Sequence, residues 1–284
     1  MAQSLSAATG REIEYVTRLC QRLEFFANCP PLSLNALSHG DSNQSYVIHT
    51  GRADYVLRCY SSDVAVCRQQ ELRCQHAAAA AQLAPAPLCL NNHYQVLISE
   101  FIAGGEPFNA ERFGMQPLLQ QLVQYHQLQV QTPQLDNLAY LKQLQKPVVA
   151  STEPHLLDAL HRAALALTQQ GSDEVLCHLD LHAGNLLWAE GRLWLLDFEY
   201  SQRADSCLDL AAICLHFSLD NTAQLQLLQH YARLRNQPAL LNQLAVKIAD
   251  AKVLYAGFCW LWYLAQPNCQ DKALHWQQQL ELLL

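Results

Sequence analysis

Residues 176–200 read LCHLDLHAGNLLWAEGRLWLLDFEY. The stretch opens apolar and turns polar at His178-Leu179-Asp180-Leu181-His182-Ala183-Gly184-Asn185. A short apolar run, a turn at Glu190-Gly191 and a second run lead to Asp197-Phe198-Glu199. Two such runs around a glycine-bearing turn predict a hairpin. A core hairpin has no use for an Asp, an Asn and another Asp in this order. Phosphoryl transfer from a nucleotide does. It needs a carboxylate to orient and deprotonate the attacking hydroxyl, and hard oxygen ligands to hold Mg²⁺ on the phosphates. The spacing puts Asp180, Asn185 and Asp197 on one bent ribbon.

The same residues allow a rival. His178, Asp180 and His182 alternate, and in extended chain they share a side. That is the pattern of a zinc or manganese hydrolase. Asn185 weighs against it, being a poor zinc ligand and a good Mg²⁺ ligand, and Asp197 adds a second hard oxygen.

Working outward, the 284 residues suit one large domain or two lobes. Hydrophobic residues make up 51% and charged residues 15%, enough to bury a sizeable core. A net charge of −7 argues against a nucleic-acid surface. The 11 cysteines show no CxxC pair, and the N-terminus lacks an apolar signal core, so a reduced, cytoplasmic protein is expected. The run from Val253 to Ala265 falls short of the ~20 residues that span a membrane. No obligate protein partner is inferred.

Along the chain, residues 10–28 have helical apolar spacing, stopped by Pro30-Pro31. A hairpin is expected around Thr50-Gly51-Arg52. Between two strand-like runs lies Gly40-Asp41-Ser42-Asn43-Gln44-Ser45. Such a loop is either an ordinary turn or a set of donors for a phosphate. Arg58 sits in mid-strand, where it either faces solvent or meets an anion. Glu71, in a helix over 64–82, is its candidate partner. Two strands follow around Asn91-Asn92, and Gly104-Gly105 marks a joint. A lobe boundary is expected near residue 103, giving 1–103 and 104–284. Helices are expected over 110–130, 154–170, 207–219, 221–235, 239–266 and 271–283, with 131–153 a looser excursion.

These motifs carry a resemblance. His178-x-Asp180-x-x-x-x-Asn185 followed by Leu196-Asp197-Phe198-Glu199, with Leu208-Asp209-Leu210-Ala211 behind, resembles the aminoglycoside phosphotransferase/choline kinase superfamily over nearly the whole chain. Asn43-Gln44-Ser45-Tyr46 and Asp197-Phe198-Glu199-Tyr200 look most like its bacterial thiamine kinase and choline kinase branches. The resemblance implies an α+β, protein-kinase-like fold of two lobes, a small antiparallel-sheet N-lobe and a larger, mainly helical C-lobe. It implies ATP and Mg²⁺ as cofactors and Asp180 as catalytic base. Asn185 and Asp197 would hold the metal. Arg58 would meet the phosphates, positioned by Glu71, under a loop containing Gly40, Ser42 and Asn43. Ser99, Glu100 and Ile102 would line the adenine hinge. His178 and Asp209 would brace the catalytic loop. Where protein kinases carry a lysine this chain has Arg58, as the choline-kinase branch does.

The acceptor side follows from the metal motif that the resemblance implies, since Glu199 comes directly after Asp197-Phe198. A carboxylate with aromatic rings suits a small cationic alcohol. Glu199 and Asp205 are the candidate carboxylates. Tyr200, Trp260 and Tyr263 are the candidate rings, and His182 is a further contact. In the apolar run that carries them, aromatics such as Trp260 and Tyr263 are more often core. Thiamine is the first choice, choline or ethanolamine the second. An aminoglycoside, another amino-alcohol or sugar, or a non-catalytic nucleotide-binding module are the alternatives.

Overall fold

The computed structural model describes residues 10–37, 43–61, 66–148 and 151–284. In chain order the elements are α1 (Gly10–Arg22), β1 (Pro31–Ala36), β2 (Gln44–Thr50), β3 (Asp54–Cys59), α2 (Arg68–Ala80), β4 (Pro87–Asn91), β5 (Val96–Glu100) and β6 (Glu106–Pro107). Next come α3 (Ala110–Phe113), α4 (Gln116–His126), α5 (Asn137–Gln145), α6 (Pro154–Gln169), β7 (Glu174–Cys177), β8 (Leu186–Ala189) and β9 (Arg192–Leu195). The chain ends with β10 (Gln202–Asp205), α7 (Ser206–His216), α8 (Asn221–Leu234), α9 (Leu240–Ala265) and α10 (Gln270–Leu283). These form two compact units: the described part of Met1–Asn109 with Ala183–Glu199, and that of Ala110–His182 with Tyr200–Leu284.

The first unit is built on an antiparallel sheet in the order β1-β2-β3-β5-β4. Strand alternation sorts its side chains. Tyr46, Ile48, Leu57, Val96 and Ile98 face one side and pack with Val16, Leu19, Cys20 and Leu23 from the α1 segment. Alternate residues face α2, where Gln75 Nε2 donates to Ser99 Oγ at 3.2 Å. Arg58 lies on this second face, opposite in register to Leu97. A smaller sheet, β6-β8-β9, completes the unit. Its β8–β9 hairpin turns on Glu190 and Gly191, both at positive φ, as a two-residue turn of primed type requires. Gly105 is needed beside it, since a Cβ there would lie 2.6 Å from the Leu187 side chain.

The second unit is helical, with one short ladder of β7 and β10. The 26-residue α9 runs through its core against α5, α6, α7, α8 and α10. Gly257 lets α6 approach: a Cβ there would meet Leu160 at 2.2 Å.

Several boundaries differ from expectation. α1 stops at Arg22, and a 3₁₀ turn over Glu24–Phe26 carries Phe26 into the core. The expected helix over 110–130 is two pieces, because Gly114 at φ +71° breaks it. The looser 131–153 segment holds α5, whose first amides Asp136 caps at 3.0 Å. A single Asp before an apolar-spaced run is a legible N-cap signal.

Candidate active site

Within the first unit, Arg58 on β3 meets two carboxylates. Its Nη1 lies 3.3 Å from Glu71 Oε1 and 2.6 Å from Asp197 Oδ1. Glu71, one turn into α2, has a side chain only 1% exposed. A buried carboxylate is costly unless it is paired, and it takes Arg58 on one oxygen and Arg68 on the other, at 3.1 Å. Burial works against the charge on Arg58, but Asp197 and then Glu71 outweigh it and raise its pKa. Burial raises the Glu71 carboxyl, while Arg58 pulls it back.

Asp197 follows β9 and adopts φ +65°. A non-glycine residue there is strained and persists only where its surroundings hold it, a condition that clusters at functional sites. Its Oδ1 takes Arg58, and among the described residues nothing donates to its other oxygen. Asn185, in the same unit, ends a 3₁₀ turn and anchors the hairpin, its carbonyl accepting from Leu196 N at 2.9 Å. The open carboxylate oxygen of Asp197 is the hard donor type that suits Mg²⁺.

Within the second unit, the loop after β7 hangs on Asp209. This fully buried carboxylate accepts from His178 N and Leu179 N at 2.7 Å each, and from His126 Nε2 at 3.0 Å. Leu179 sits at φ +66°, so these bonds hold a strained turn. His178 itself is buried, with its ring 6.0 Å from Tyr125. Asp180 follows, 28% exposed at its side chain, with Oδ2 3.7 Å from His182 Nε2. Burial opposes its ionisation, yet His182, His178 and His216 together hold the carboxyl below the ordinary range. A solvent-reachable, ionised carboxylate on a fixed loop can accept a hydroxyl proton.

Behind His182 stands a ring cluster that sequence reading missed. Its ring centroid is 5.4 Å from that of His216, which lies 5.8 Å from Tyr255 and 5.1 Å from Trp276. His216 Nε2 and Tyr255 Oη are 3.1 Å apart. These residues come from α7, α9 and α10, and no periodicity in one helix reports such a meeting.

Burial lowers the His216 pKa from 6.5 to about 4; His182 and His275 add to this and Asp180 opposes it. The folded protein therefore prefers neutral His216, and the unfolded chain takes up the proton first. Its contribution is complete above pH 6.5 and is lost as pH falls toward 4, on the order of 3 kcal/mol in all. Thermal melting from pH 7 to pH 5 should show the parent losing stability and His216→Phe losing less. Equal losses would refute this assignment.

The remaining candidates are corrected or qualified. Asp205 caps α7 through Cys207 N and pairs with buried Lys247. Trp260 is core at 1% exposure, and Tyr263 instead carries Lys272 over its ring at 5.3 Å. Glu199 is closed to an acceptor here, because Asn43 and Arg68 both donate to its Oε2 at 3.0 Å and its side chain is 1% exposed. Tyr200 is half-buried in the second unit. Ser99 accepts from Gln75, Glu100 binds Ala86 N at 3.0 Å, and Ile102 packs on Leu187, Ala189 and Trp194. Gly40 and Ser42 lie outside the described residues. The His178-Asp180-His182 zinc triad finds no support. Among the described residues, the His/Cys/Asp/Glu group close enough to ligate is His126, Cys177 and Asp209, and His126 and Asp209 there are already hydrogen-bonded.

Comparison with known proteins agrees with this architecture. The family model described as "Phosphotransferase enzyme family" matches residues 33–241. Thiamine kinase from Escherichia coli O9:H4 (strain HS) is 44% identical over 66 residues, 22% of this chain and only 23% of that enzyme's length. Choline kinase LicA from Streptococcus pneumoniae superposes with a TM-score of 0.77 at 19% identity, covering 96% of this chain and 99% of LicA. A structure of LicA in complex with AMP superposes at 0.75, with 19% identity and 98% and 100% coverage. The small antiparallel sheet with a set of helices is thus the kinase-like fold of these structures.

Proposed function

The chain belongs to the phosphotransferase enzyme family, and from that premise we propose that it transfers the γ-phosphoryl group of ATP to the hydroxyl of a small cationic alcohol, thiamine before choline or ethanolamine. The observation that carries this reading is Arg58, held by Glu71 and reaching an Asp197 whose second oxygen stays open. A guanidinium fixed this way is prepared for phosphate oxygens. Asn185 and Asp197 would hold Mg²⁺, which when bound neutralises phosphate charge. Asp180 accepts the proton of the attacking hydroxyl. Ser99, Glu100 and Ile102 would face adenine; LicA, which shares this fold, has been solved with AMP.

On the acceptor side, the rings of His182 and His216 replace Trp260 and Tyr263 as our candidate wall. Their imidazole faces and the charge on Asp180 suit a flat cation. The local likeness to thiamine kinase favours thiamine, and the likeness to LicA keeps choline second. The acidic net charge argues against a nucleic-acid partner, and no described helix is long and apolar enough to cross a membrane. The test is ATP turnover against thiamine, choline, ethanolamine, homoserine, methylthioribose and kanamycin. Thiamine should be turned over best. Turnover confined to kanamycin, or absent for every cationic alcohol, would remove the acceptor class.

A further inference from the structure

Five charged side chains of the first unit form a closed circuit. Asp197 binds Arg58 at 2.6 Å, Arg58 binds Glu71 at 3.3 Å, Glu71 binds Arg68 at 3.1 Å, and Arg68 binds Glu199 at 3.0 Å. The backbone of Phe198 joins Glu199 back to Asp197. A lone Arg58–Glu71 pair would grip the 197–199 segment at one end only. Here Arg68 grips the other end, from the first turn of α2.

Arg68 is built for a fixed position. Its guanidinium carbon lies 3.7 Å over the Tyr60 ring, a cation–π contact that removes freedom from a long side chain. Its side chain is 11% exposed. Glu199, at 1%, is also held by Asn43, whose Oδ1 accepts from Ser61 N at 3.4 Å. Three carboxylates against two guanidiniums leave one formal negative charge within the circuit. Because Asp197 stands at φ +65°, its carboxylate direction depends on what fixes the chain on either side of it.

We propose that Arg68 is a positioning residue: by clamping Glu199 it holds residues 197–199 in the one conformation that aims the open oxygen of Asp197 at a divalent cation. The role rests on the reading of Asp197 as a metal ligand. Nothing in the HxDxxxxN or DFE motifs identifies Arg68. Only the fold brings it to Glu199, 131 residues away in sequence.

The experiment uses the full chain with Arg68→Met, Arg68→Lys, Glu199→Met and the Met/Met double variant. Amide hydrogen exchange across residues 196–200 is followed without metal or nucleotide. Mn²⁺ binding in the presence of a non-hydrolysable ATP analogue is followed by paramagnetic resonance. Arg68→Met should speed exchange and weaken Mn²⁺ binding about tenfold, and the double variant should lose clearly less than the product of the two single losses, because the Arg68–Glu199 bond is counted in both, although Arg68→Met also removes the bond to Glu71 and Glu199→Met the bond from Asn43. Arg68→Lys, which keeps the charge on a single nitrogen but loses the planar fork, should lie between Met and parent. Exchange and Mn²⁺ affinity within about twofold of parent, or losses that multiply in the double variant, would overturn the role. Should Arg68→Met fail to fold, Glu199→Met cuts the same bond from the acceptor side and is read instead. A parent that binds no Mn²⁺ with nucleotide overturns the phosphotransferase reading itself, whereas normal parent binding with an unmoved Arg68→Met overturns only this clamp.

Discussion

Asp180→Asn should lower kcat by about 10³-fold while leaving nucleotide affinity within about twofold of parent. The two side chains have the same shape, so the loop and its neighbours should survive the change. Basicity is what disappears. In the parent, His182, His178 and His216 hold the Asp180 carboxyl below the ordinary carboxylate range, so it is ionised at neutral pH. Its 28% exposed side chain leaves a path for an incoming hydroxyl. The direction of that shift adds a second observable. Ionisation of the base is retained as pH falls to the ordinary carboxylate range near ~4, so acid loss of kcat/KM above that range must come from another group. Single-turnover rates with saturating ATP, together with calorimetric titration of the nucleotide, separate chemistry from binding. A variant retaining more than about a tenth of the parental rate would remove Asp180 from the base role.

How much of this was readable in the chain depends on the kind of interaction. The β8–β9 hairpin was legible because Glu190-Gly191 demands a particular turn and the flanking runs are short and apolar. Arg58 was readable as an anomaly, a cation in mid-strand, and Glu71 as its candidate partner because it lies only 13 residues on, in the next expected helix. Glu199 and Asp205 show where reading stops. Each is a carboxylate beside a catalytic motif, and sequence cannot tell an open acid from a satisfied one. Here Glu199 is consumed by Arg68 and Asn43, and Asp205 by a helix N-terminus and Lys247. Trp260 and Tyr255 lie on the same helix, five positions apart. Both are buried, but only Tyr255 reaches His216, and that depends on where α7 and α10 pack. Residues that meet only through tertiary packing carry no local signal.

Asp209→Asn is expected to have the largest effect on stability. The parental carboxylate takes three donors: two backbone amides at 2.7 Å and the His126 ring at 3.0 Å. Hydrogen bonds to a charged acceptor are the strong ones, and these are buried completely. Asparagine offers one acceptor oxygen, and its amide nitrogen is itself a donor. Wherever it is placed, an N–H of the variant faces an N–H of His178, Leu179 or His126. Leu179 is then asked to keep φ +66° with a weakened restraint. Asp209 also lies in the first turn of α7, where a negative charge is favourable and its loss adds to the cost. Breaking such a buried arrangement costs about 3–5 kcal/mol, which for a protein of this size lowers Tm by roughly 10 °C. Activity should fall as well, since Asp180 stands at the end of the loop that Asp209 holds. The sign of the control matters: Asp209→Glu keeps the charge but overfills the site, so it should restore little. Melting followed by circular dichroism, beside the rate with saturating substrates, decides the matter. A Tm within about 2 °C of parent would mean that the loop keeps its strained turn without Asp209, and its bracing role would be withdrawn.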